Sequence, residues 1–295
     1  MVHSSKVGGC DVISSQMFTL SHYQHKAQDV LVPIYGDREA SAMIKLWFGS
    51  RLDMSPIDLI MRREVEVAFP SFTADLAQLR ENTPVQLVLG EAFFFDQSYL
   101  VNEHTLIPRP ETEELVAGIL ERFSNKDLKV IDVGTGSGCI AISLQLARPN
   151  WSIMGVDIHW QTIDAAKTNA EKLDAKVDFR VLDVLEEGFS GFDLLVSNPP
   201  YIPESEAQAM DSNVVDYEPD RALFVPDSDV LLFYRRLLEL AKENKNNSPV
   251  HVAFEIHEDF GEQMIELCAS FGFKEVNLLQ DLQGKDRMIF AQYGD

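Results

Sequence analysis

The sequence predicts an α/β protein in which a small helical domain precedes a doubly wound, mostly parallel sheet of seven strands. Two observations predict the sheet. From Lys129 onward, short apolar runs alternate with segments of helical periodicity, as in parallel strands that are joined by helices. One of these runs leads straight into a glycine-rich turn, Gly134–Gly138, and then into a helix. In open α/β sheets, ligands bind in the crevice outside the carboxyl ends of the strands.

The region before Pro84 is predicted to be helical and to form a domain of residues 1–84. Apolar side chains recur at three-to-four spacing after Gly36, and Ser55-Pro56 is a favourable start for a second helix. The predicted helices are 36–52, 56–69 and 73–81. Pro84 ends this region.

Residues 85–295 are predicted to form the second domain. It begins with three short runs that are predicted to be strands, 85–90, 93–101 and 106–107, and that indicate a connecting β-hairpin. The predicted strands of the sheet are 129–133, 152–157, 177–182, 192–197, 250–255, 273–279 and 287–292. The predicted helices are 112–123, 138–148, 160–173, 229–243 and 257–271. Only a short turn separates the last two strands, so we expect them to pair antiparallel at one edge of the sheet.

Composition narrows the class of protein. Hydrophobic residues make up 45% and charged residues 24% of the chain, as in ordinary globular proteins. The 47 acidic residues outnumber the 25 basic ones, and the formal net charge of -22 disfavours a nucleic-acid substrate, because Lys and Arg bind phosphate backbones. No apolar run approaches the ~20 residues that cross a bilayer, and three scattered cysteines form neither a disulfide framework nor a metal site. We therefore expect a cytoplasmic protein without a metal centre or a membrane partner.

The glycine-rich turn is the first candidate binding site. Its residues are Gly134, Thr135, Gly136, Ser137 and Gly138. The G-x-G-x-G spacing differs from the G-x-G-x-x-G that holds a pyrophosphate. Asp157 ends the next strand, where a carboxylate can bind both hydroxyls of a ribose. Asp183 ends the third strand, where it can accept a hydrogen bond from an adenine amino group beside Val184. NAD and S-adenosylmethionine both carry a ribose and an adenine, and the turn together with the two acids favours S-adenosylmethionine.

The fourth strand ends in Asn198-Pro199-Pro200-Tyr201, the most specific four residues of the chain. Two consecutive prolines fix the backbone and remove two N–H donors, so nearby carbonyls are left unpaired. The side-chain oxygen of Asn198 and the backbone carbonyl of Pro199 can together accept both hydrogens of a planar NH₂ group, and Tyr201 adds an aromatic wall. Held in this way, the nitrogen of an amide or of a base amine directs its lone pair at a methyl donor without a general base. The four residues therefore predict a catalytic site for N-methylation, and Asn198 also borders the cofactor.

The chain resembles the HemK/PrmC family, the protein-(glutamine-N5) methyltransferases that act on peptide chain release factors. Besides Asn-Pro-Pro-Tyr, the resemblance rests on the segments Leu106–Glu113, Tyr217–Pro219, Phe233–Arg236 and Asp281–Arg287. The resemblance in sequence covers residues 84–295 well. The N-terminal region resembles the family in being helical more than in its sequence. The resemblance implies a Rossmann-like methyltransferase sheet and S-adenosyl-L-methionine as methyl donor, with S-adenosylhomocysteine as product. The methyl acceptor would be the glutamine of a Gly-Gly-Gln motif in a release factor.

The resemblance also implies roles for particular residues. Asn198–Tyr201 would hold the substrate glutamine, and the glycine turn Gly134–Gly138 would line the cofactor together with Asp157 and Val184. Arg109 and Glu111 look like a wall of the same pocket, although their loop could equally do no more than start the following helix. The N-terminal helical domain, with residues 40–79, would dock the release factor.

Two departures from the family pattern concern loops. The family usually has a glycine-rich turn after Leu223, where this chain has Phe224–Ser228. His257 stands where the family often has Gly. Because the mechanism needs no base there, His257 is more simply interpreted as a residue at the start of a helix.

Three alternative functions remain open from the sequence. One is a glutamine methyltransferase of a ribosomal protein, a group that usually departs from the Arg-Pro-Glu-Thr-Glu found intact here at 109–113. Another is an amino-group methylase of DNA or RNA, which the net charge disfavours. The third is a cofactor-binding module that only recruits partners, which the intact Asn198–Tyr201 disfavours.

Overall fold

The computed structural model describes residues 17–124, 126–210, 212–244 and 249–294. The described chain divides after Leu89 into two compact units, whereas the predicted boundary follows Pro84. Within the described residues, no helix is both long enough and apolar enough to cross a membrane.

The first unit is mostly helical. Its elements are β1 (Met17–Thr19), α1 (Leu20–Leu52), α2 (Pro56–Met61), β2 (Glu66–Ala68), α3 (Phe72–Arg80) and α4 (Val85–Leu89). The Thr19 side chain caps α1 by accepting a hydrogen bond from the backbone N–H of His22 at 3.2 Å. At Gly36 the backbone adopts φ of 76°, a left-handed conformation that suits glycine, so α1 is kinked there.

The helix predicted over 56–69 is wrong beyond Met61, where α2 ends. The chain then forms β2, which pairs antiparallel with β1. In Glu64–Val67, charged and apolar side chains alternate with a period of two, which is the period of a strand and not of a helix. The N-terminal partner strand lies in a region for which the sequence predicted no element.

The segment Val85–Leu89 is a helix, and the strand predicted there is wrong. The backbone N–H groups of Leu87 and Val88 donate to the Pro84 carbonyl at 2.9 and 3.1 Å, which closes a helical turn directly after the proline. Val85 and Val88 are buried in the core of the first unit. A short apolar run does not distinguish a buried strand from a buried helical turn, and here packing decided.

An aromatic cluster of Trp47, Phe48, Phe69 and Phe72 forms the centre of this core. The rings of Trp47 and Phe72 stack with their centroids 5.2 Å apart. The indole N–H of Trp47 donates to the buried carboxylate of Asp75 at 2.8 Å, so the polar atom of the indole has a partner inside the core. The first unit therefore has a hydrophobic core of its own.

The second unit begins with an antiparallel hairpin and continues as alternating strands and helices. Its hairpin and helices are β3 (Glu91–Phe94), β4 (Gln97–Leu100), α5 (Pro110–Arg122), α6 (Cys139–Ala147), α7 (Trp160–Lys172), α8 (Ser212–Val215), α9 (Asp220–Leu223), α10 (Leu232–Glu243) and α11 (Gly261–Ser270). Its other strands are β5 (Lys129–Val133), β6 (Ser152–Asp157), β7 (Val177–Val181), β8 (Leu194–Ser197), β9 (Ile202–Pro203), β10 (Phe224–Val225), β11 (Val250–Glu255), β12 (Lys274–Gln280) and β13 (Asp286–Tyr293). The predicted hairpin is confirmed at β3 and β4, but the Leu106-Ile107 strand predicted after it is absent from the described structure.

Seven of the described strands form one sheet in the order β12-β13-β11-β8-β5-β6-β7. All neighbours from β11 to β7 are parallel, and β13 runs antiparallel to both β11 and β12. Apolar clusters pack on the two faces of the sheet, one with α5, α6 and α7 and the other with α10 and α11. The predicted doubly wound sheet of seven strands with a reversed strand near one edge is confirmed.

The register brings the carboxyl ends of the three central strands together. Val133 at the end of β5 lies opposite Val156 of β6 on one side and Ser197 of β8 on the other. The residues that follow, Gly134 and Asn198, therefore leave the sheet at the same edge.

In the long connection between β8 and α10, a segment near the beginning contacts a segment near the end. Strands β9 and β10 pair in parallel, with Ile202 opposite Phe224. Between them lie a 3₁₀ turn at Glu204–Ala209 and the short helices α8 and α9. The Phe224–Ser228 segment, where the chain departs from the family pattern, therefore begins with a strand residue.

Candidate active site

The glycine turn between β5 and α6 has a backbone that only glycine adopts without strain. Gly134, Gly136 and Gly138 have φ of 70°, 55° and 81°. Val156 of β6 anchors the turn, because its carbonyl accepts hydrogen bonds from the N–H groups of Gly134 and Thr135 at 2.9 and 3.0 Å. The turn therefore has a fixed shape, and its first glycines present bare backbone.

A cavity of about 220 Å³ opens at this edge of the sheet. Its walls include six of the residues predicted to contact a cofactor: Gly134, Gly136, Asp157, Asp183, Val184 and Asn198. Pro199 and Pro200 also line it. The structure thus brings residues from the ends of four strands, β5, β6, β7 and β8, to one cavity.

Three residues of the turn lie behind the cavity wall. The side chains of Thr135 and Ser137 are buried, and the Thr135 hydroxyl donates to the carboxylate of Asp132 at 2.6 Å. A Cβ at Gly138 would lie 3.0 Å from the Phe179 ring, so this glycine allows α6 to pack closely. These three residues shape the turn from inside the protein.

Asp157 ends β6 with its carboxylate in the cavity wall. One oxygen accepts the N–H of Gly136 and the other accepts the N–H of His159, both at 3.2 Å. Burial raises the pKa of this carboxyl, and the two backbone donors oppose the rise. Each oxygen keeps a further lone pair, so the carboxylate can still accept hydrogen bonds from a ligand.

Asp183 and Val184 follow β7 on the same wall. The Asp183 carboxylate accepts the N–H of Leu185 at 2.9 Å, which fixes the turn after the strand. The Val184 side chain is buried, and its carbonyl accepts a hydrogen bond from the Arg236 guanidinium at 2.9 Å. Arg236 belongs to the Phe233–Arg236 segment that the resemblance singled out, and its contact holds this wall in place.

The cavity also contains residues that sequence analysis did not assign to it. Among them are His104, Leu106, Ile158, Thr162, Arg221 and Phe233. They come from several loops and helices, and of these six only Leu106 and Phe233 lie in segments that the resemblance singled out. The hydroxyl of Thr162 donates to the His104 carbonyl at 3.0 Å, which joins two of these segments. No local spacing in the sequence indicates this contact.

Asn198 lies at one end of a hydrogen-bonded chain of side chains that leads to Tyr201. Its Nδ2 donates to Thr112 Oγ1 at 3.2 Å, and the Thr112 hydroxyl donates to Glu255 Oε2 at 2.6 Å. The Tyr201 hydroxyl donates to the other oxygen of Glu255 at 3.1 Å. Burial raises the pKa of both Glu255 and Tyr201. Tyr201 does not line the cavity; it packs beside it and holds the far end of this chain.

Glu255 is the residue of the site that sequence analysis missed. It ends β11 and is buried, with 1% of its surface exposed. The signal was present, because a single carboxylate ends the strand Val250–Glu255, which is otherwise apolar except for His251. A buried carboxylate is expensive unless it is paired. The sequence could not show which groups pair with it.

Arg109 and Glu111 lie outside the cavity. Arg109 precedes α5, and its guanidinium donates to the buried Glu218 carboxylate at 2.6 Å. Glu218 also accepts the Ile107 N–H at 3.1 Å, so this ion pair ties together two segments of the resemblance. The Glu111 carboxylate accepts a hydrogen bond from the Gln283 side chain at 3.3 Å.

His257 does not start a helix, because α11 begins only at Gly261. The ring accepts the Asp259 N–H at 3.2 Å, and its centroid lies 4.8 Å from that of the tilted Phe260 ring. Its Nε2 lies 3.4 Å from the Glu206 carboxylate in the 3₁₀ turn of the β8–α10 connection. The residue therefore holds loops together at the rim of the site.

The cavity fits a nucleoside with a charged tail. A Cβ at Gly134 or Gly136 would meet its nearest neighbours only at 4.0 and 3.9 Å, so the turn leaves room on its bare backbone for a ligand. Carboxylates suit ribose hydroxyls, and the apolar side chains of Leu106, Ile158 and Val184 suit a purine ring. The residues present thus match the chemistry of S-adenosylmethionine.

Comparison with known proteins agrees with this geometry. The family model described as "Methyltransferase small domain" matches residues 113–216. The release factor glutamine methyltransferase of Flavobacterium psychrophilum is 37% identical over 93% of this chain and 99% of its own length. That of Bacteroides thetaiotaomicron is 38% identical over 88% of this chain and 95% of its own. Among solved structures, the hMettl16 catalytic domain in complex with an RNA hairpin is 15% identical, with a TM-score of 0.55 over 79% of this chain and 86% of that one; this likeness concerns the fold alone.

The sheet, the glycine turn and the cavity at their common edge define an S-adenosylmethionine-dependent methyltransferase. S-adenosylmethionine is therefore its cofactor. From the extent and identity of the match to the curated relatives, the chain belongs to the family of release factor glutamine methyltransferases.

Proposed function

We propose that the protein transfers a methyl group from S-adenosylmethionine to the side-chain amide nitrogen (N5) of the glutamine in the Gly-Gly-Gln motif of peptide chain release factors. The observation that carries this proposal is the position of Asn198, which lies in the cavity wall with Pro199 and with Gly134 of the glycine turn. The family membership supports the choice of substrate.

Cofactor binding in this proposal uses residues of three strand ends. The bare backbone at Gly134 and Gly136 would lie against the ligand, and Asp157 would accept hydrogen bonds from the ribose hydroxyls. Asp183 and Val184 would border the adenine. When bound, S-adenosylmethionine supplies an electrophilic methyl group on its sulfonium.

The acceptor amide is held by two oxygens of this chain. The Asn198 side-chain oxygen and the Pro199 carbonyl would each accept one hydrogen of the glutamine NH₂ group. An amide nitrogen is a weak nucleophile because its lone pair is delocalised into the carbonyl. Fixing both hydrogens directs that lone pair towards the methyl donor and stabilises the positive charge that develops on nitrogen. Orientation and fixed dipoles thus make a general base unnecessary before transfer. After transfer, S-adenosylhomocysteine would remain as the product of the cofactor, and the methylated nitrogen would lose its extra proton to water.

The release factor itself would dock on the first unit. Around α2, three large apolar side chains are exposed: Ile57 at 72%, Ile60 at 68% and Met61 at 77%. Neighbouring exposed apolar side chains of this size are typical of a protein-binding surface. Small glycines flank the target glutamine and offer no side chains to read, so recognition must come from surface outside the reaction site. We place the activity in the cytoplasm, where translation terminates.

The decisive experiment uses cofactor labelled in its methyl group and an intact release factor. Mass spectrometry of the digested product should place one methyl group on the glutamine side chain of Gly-Gly-Gln. A release factor with glutamate at that position is the matched control and should stay unlabelled. Ribosomal proteins and ribosomal RNA are offered in parallel. Label on either of these, with none on the release factor, would overturn the proposal.

A further inference from the structure

We infer that Thr112 and Glu255 are positioning residues that hold the Asn198 amide with its oxygen towards the substrate, and that they thereby make the site select glutamine over glutamate. This inference rests on the proposed function. It concerns how the site distinguishes an NH₂ group from an oxygen, which Asn198 by itself does not settle, because an asparagine side chain can present either its oxygen or its nitrogen.

The hydrogen-bond donors and acceptors along the chain fix this orientation. A threonine hydroxyl has one hydrogen, and Thr112 donates it to Glu255 at 2.6 Å. Towards Asn198, Thr112 therefore offers only a lone pair, and the group 3.2 Å away must be the Nδ2 donor. If the Asn198 amide were flipped, two oxygens would face each other, or Thr112 would have to take its hydrogen away from a buried carboxylate.

Both carboxylate oxygens of Glu255 accept a hydrogen bond. Thr112 donates to one of its oxygens and Tyr201 to the other. Two donors favour the ionised form of a carboxyl group. Burial raises the pKa of Glu255, and the hydrogen bonds from Thr112 and Tyr201 and the charge of the Arg287 guanidinium oppose this rise. Arg287 is itself paired with Asp281 at 3.2 Å. The Asp281–Arg287 segment, which stood out in the sequence, thus supplies the positive charge for this buried acid.

Both positioning residues are shielded from water and belong to separate elements. Thr112 lies in the first turn of α5 with 3% of its surface exposed, and Glu255 ends β11 with 1% exposed. Water cannot readily replace either partner, so the arrangement persists while substrate enters and leaves. The Asn198 oxygen is then the atom left free for the substrate.

A site with two hydrogen-bond acceptors distinguishes a glutamine side chain from a glutamate side chain. The Asn198 oxygen and the Pro199 carbonyl can bind the hydrogens of a glutamine amide. A glutamate side chain would bring carboxylate oxygens against them, with no hydrogen between. Sites built around a particular hydrogen-bonding partner reject close analogues far more strongly than apolar pockets do. Releasing Asn198 to rotate should weaken this discrimination.

The test compares Thr112→Val with Thr112→Ser in the full-length enzyme. Valine keeps the shape of threonine but has no hydroxyl, whereas serine keeps the hydroxyl. We measure kcat and KM with intact release factor, S-adenosylhomocysteine affinity by calorimetry, and inhibition by a release factor carrying glutamate in the Gly-Gly-Gln position. Should Thr112→Val unfold, Thr112→Ala makes the same comparison.

We expect Thr112→Val to lower kcat by about 10-fold or more, because a misoriented catalytic group loses its effective concentration at the reacting atom. Cofactor-product affinity should stay within about 3-fold, and the glutamate-containing release factor should inhibit relatively better than it inhibits the wild type. Thr112→Ser should keep most of the activity and the wild-type discrimination.

Two results would overturn the inference while leaving the proposed function intact. One is a Thr112→Val enzyme with wild-type kcat and discrimination. The other is an equal loss in the valine and serine variants with unchanged discrimination, which would indicate packing alone. If the wild type itself does not methylate release factor, the proposed function fails, and that outcome is visible before any variant is made.

Discussion

The carboxylate of Asp157 accepts a hydrogen bond from the backbone N–H of Gly136 at 3.2 Å. This contact joins the end of β6 to the glycine turn after β5, so the acid and the bare backbone of the turn border the same cavity. It also explains why a residue 21 positions further along the chain is part of the cofactor cavity wall.

Replacing Asp157 by alanine should weaken the binding of S-adenosylmethionine and S-adenosylhomocysteine together. A hydrogen bond to a charged group contributes roughly 1.5–3 kcal/mol, or about 10- to 100-fold in affinity. Asp157→Asn, which keeps the size and one acceptor oxygen, is the matched control and should lose less. Isothermal calorimetry measures both ligands. Equal affinities in wild type and Asp157→Ala would contradict the ribose role.

Asn198→Ala should remove most of the methyl transfer and leave cofactor affinity within severalfold. The side-chain oxygen is one of the two proposed acceptors for the substrate amide, and losing one fixed polar group at a reacting centre costs ~10²–10³ in rate. Single-turnover kinetics with saturating cofactor isolate this step. A variant that turns over at the wild-type rate would refute the assignment.

The buried carboxyl group of Asp132 should make the stability of the folded protein depend on pH. Burial raises the pKa of this carboxyl to about 7 in the folded protein. An unfolded chain has the ordinary value of about 3.9. Between these values the folded state keeps the proton and the unfolded state releases it. The contribution of Asp132 to stability is therefore fully present below pH 4 and is lost as the pH rises to about 7.

An asparagine at this position cannot ionise, so Asp132→Asn should not lose this contribution as the pH rises. The free energy of unfolding of the variant, relative to that of the wild type, should therefore be higher at pH 8 than at pH 5. The gain is on the order of a few kcal/mol at most, because each pKa unit corresponds to about 1.4 kcal/mol. Urea unfolding without cofactor at both pH values gives the difference, and other titrating groups cancel between the two proteins. A difference that does not change with pH would show that Asp132 does not carry this linkage.

Gly155→Ala should destabilise the second unit. A Cβ at this position in β6 would lie 2.5 Å from the Phe179 ring and 2.8 Å from the Thr135 hydroxyl. Overpacking of this kind costs about 1–3 kcal/mol, and movement of Thr135 should also weaken cofactor binding. Gly188→Ala is the control, because its Cβ would meet only Leu240 at an ordinary 3.5 Å. Thermal unfolding compares the two, and equal melting temperatures would contradict the steric argument.

Removal of residues 1–89 should leave a folded second unit that binds cofactor but methylates release factor poorly. The second unit has its own core and its own cofactor cavity. A stable protein contact needs on the order of 800 Å² per partner, which a single loop rarely offers. A short Gly-Gly-Gln peptide should be an equally weak substrate for the full-length and truncated enzymes.

The exposed side chains on α2 allow a finer version of this test. Ile60→Ser in the full-length enzyme should raise KM for release factor and leave the slow reaction with the peptide unchanged. Full activity of the truncated enzyme on intact release factor would show that the first unit is not the docking domain.

The sequence by itself determined the doubly wound sheet, the reversed strand near its edge, the glycine turn and the position of Asn198. These features depend on local patterns: strand and helix periodicity, glycines that tolerate positive φ, and two prolines in succession. Local patterns also gave two wrong predictions: a helix where β2 forms, and a strand where α4 forms. In both cases pairing or burial against distant residues decided the conformation.

Only the tertiary structure decided how the site is held together. Asn198 and Thr112 are 86 residues apart in the chain, and Thr112 and Glu255 are 143 apart. Their hydrogen bonds exist because α5 packs against β11, and β11 pairs with β8 in the sheet. The order of strands in a sheet is not encoded in the spacing of residues along any one strand. A buried carboxylate in an apolar run shows that a partner must exist, but its identity depends on which elements the packed core brings into contact.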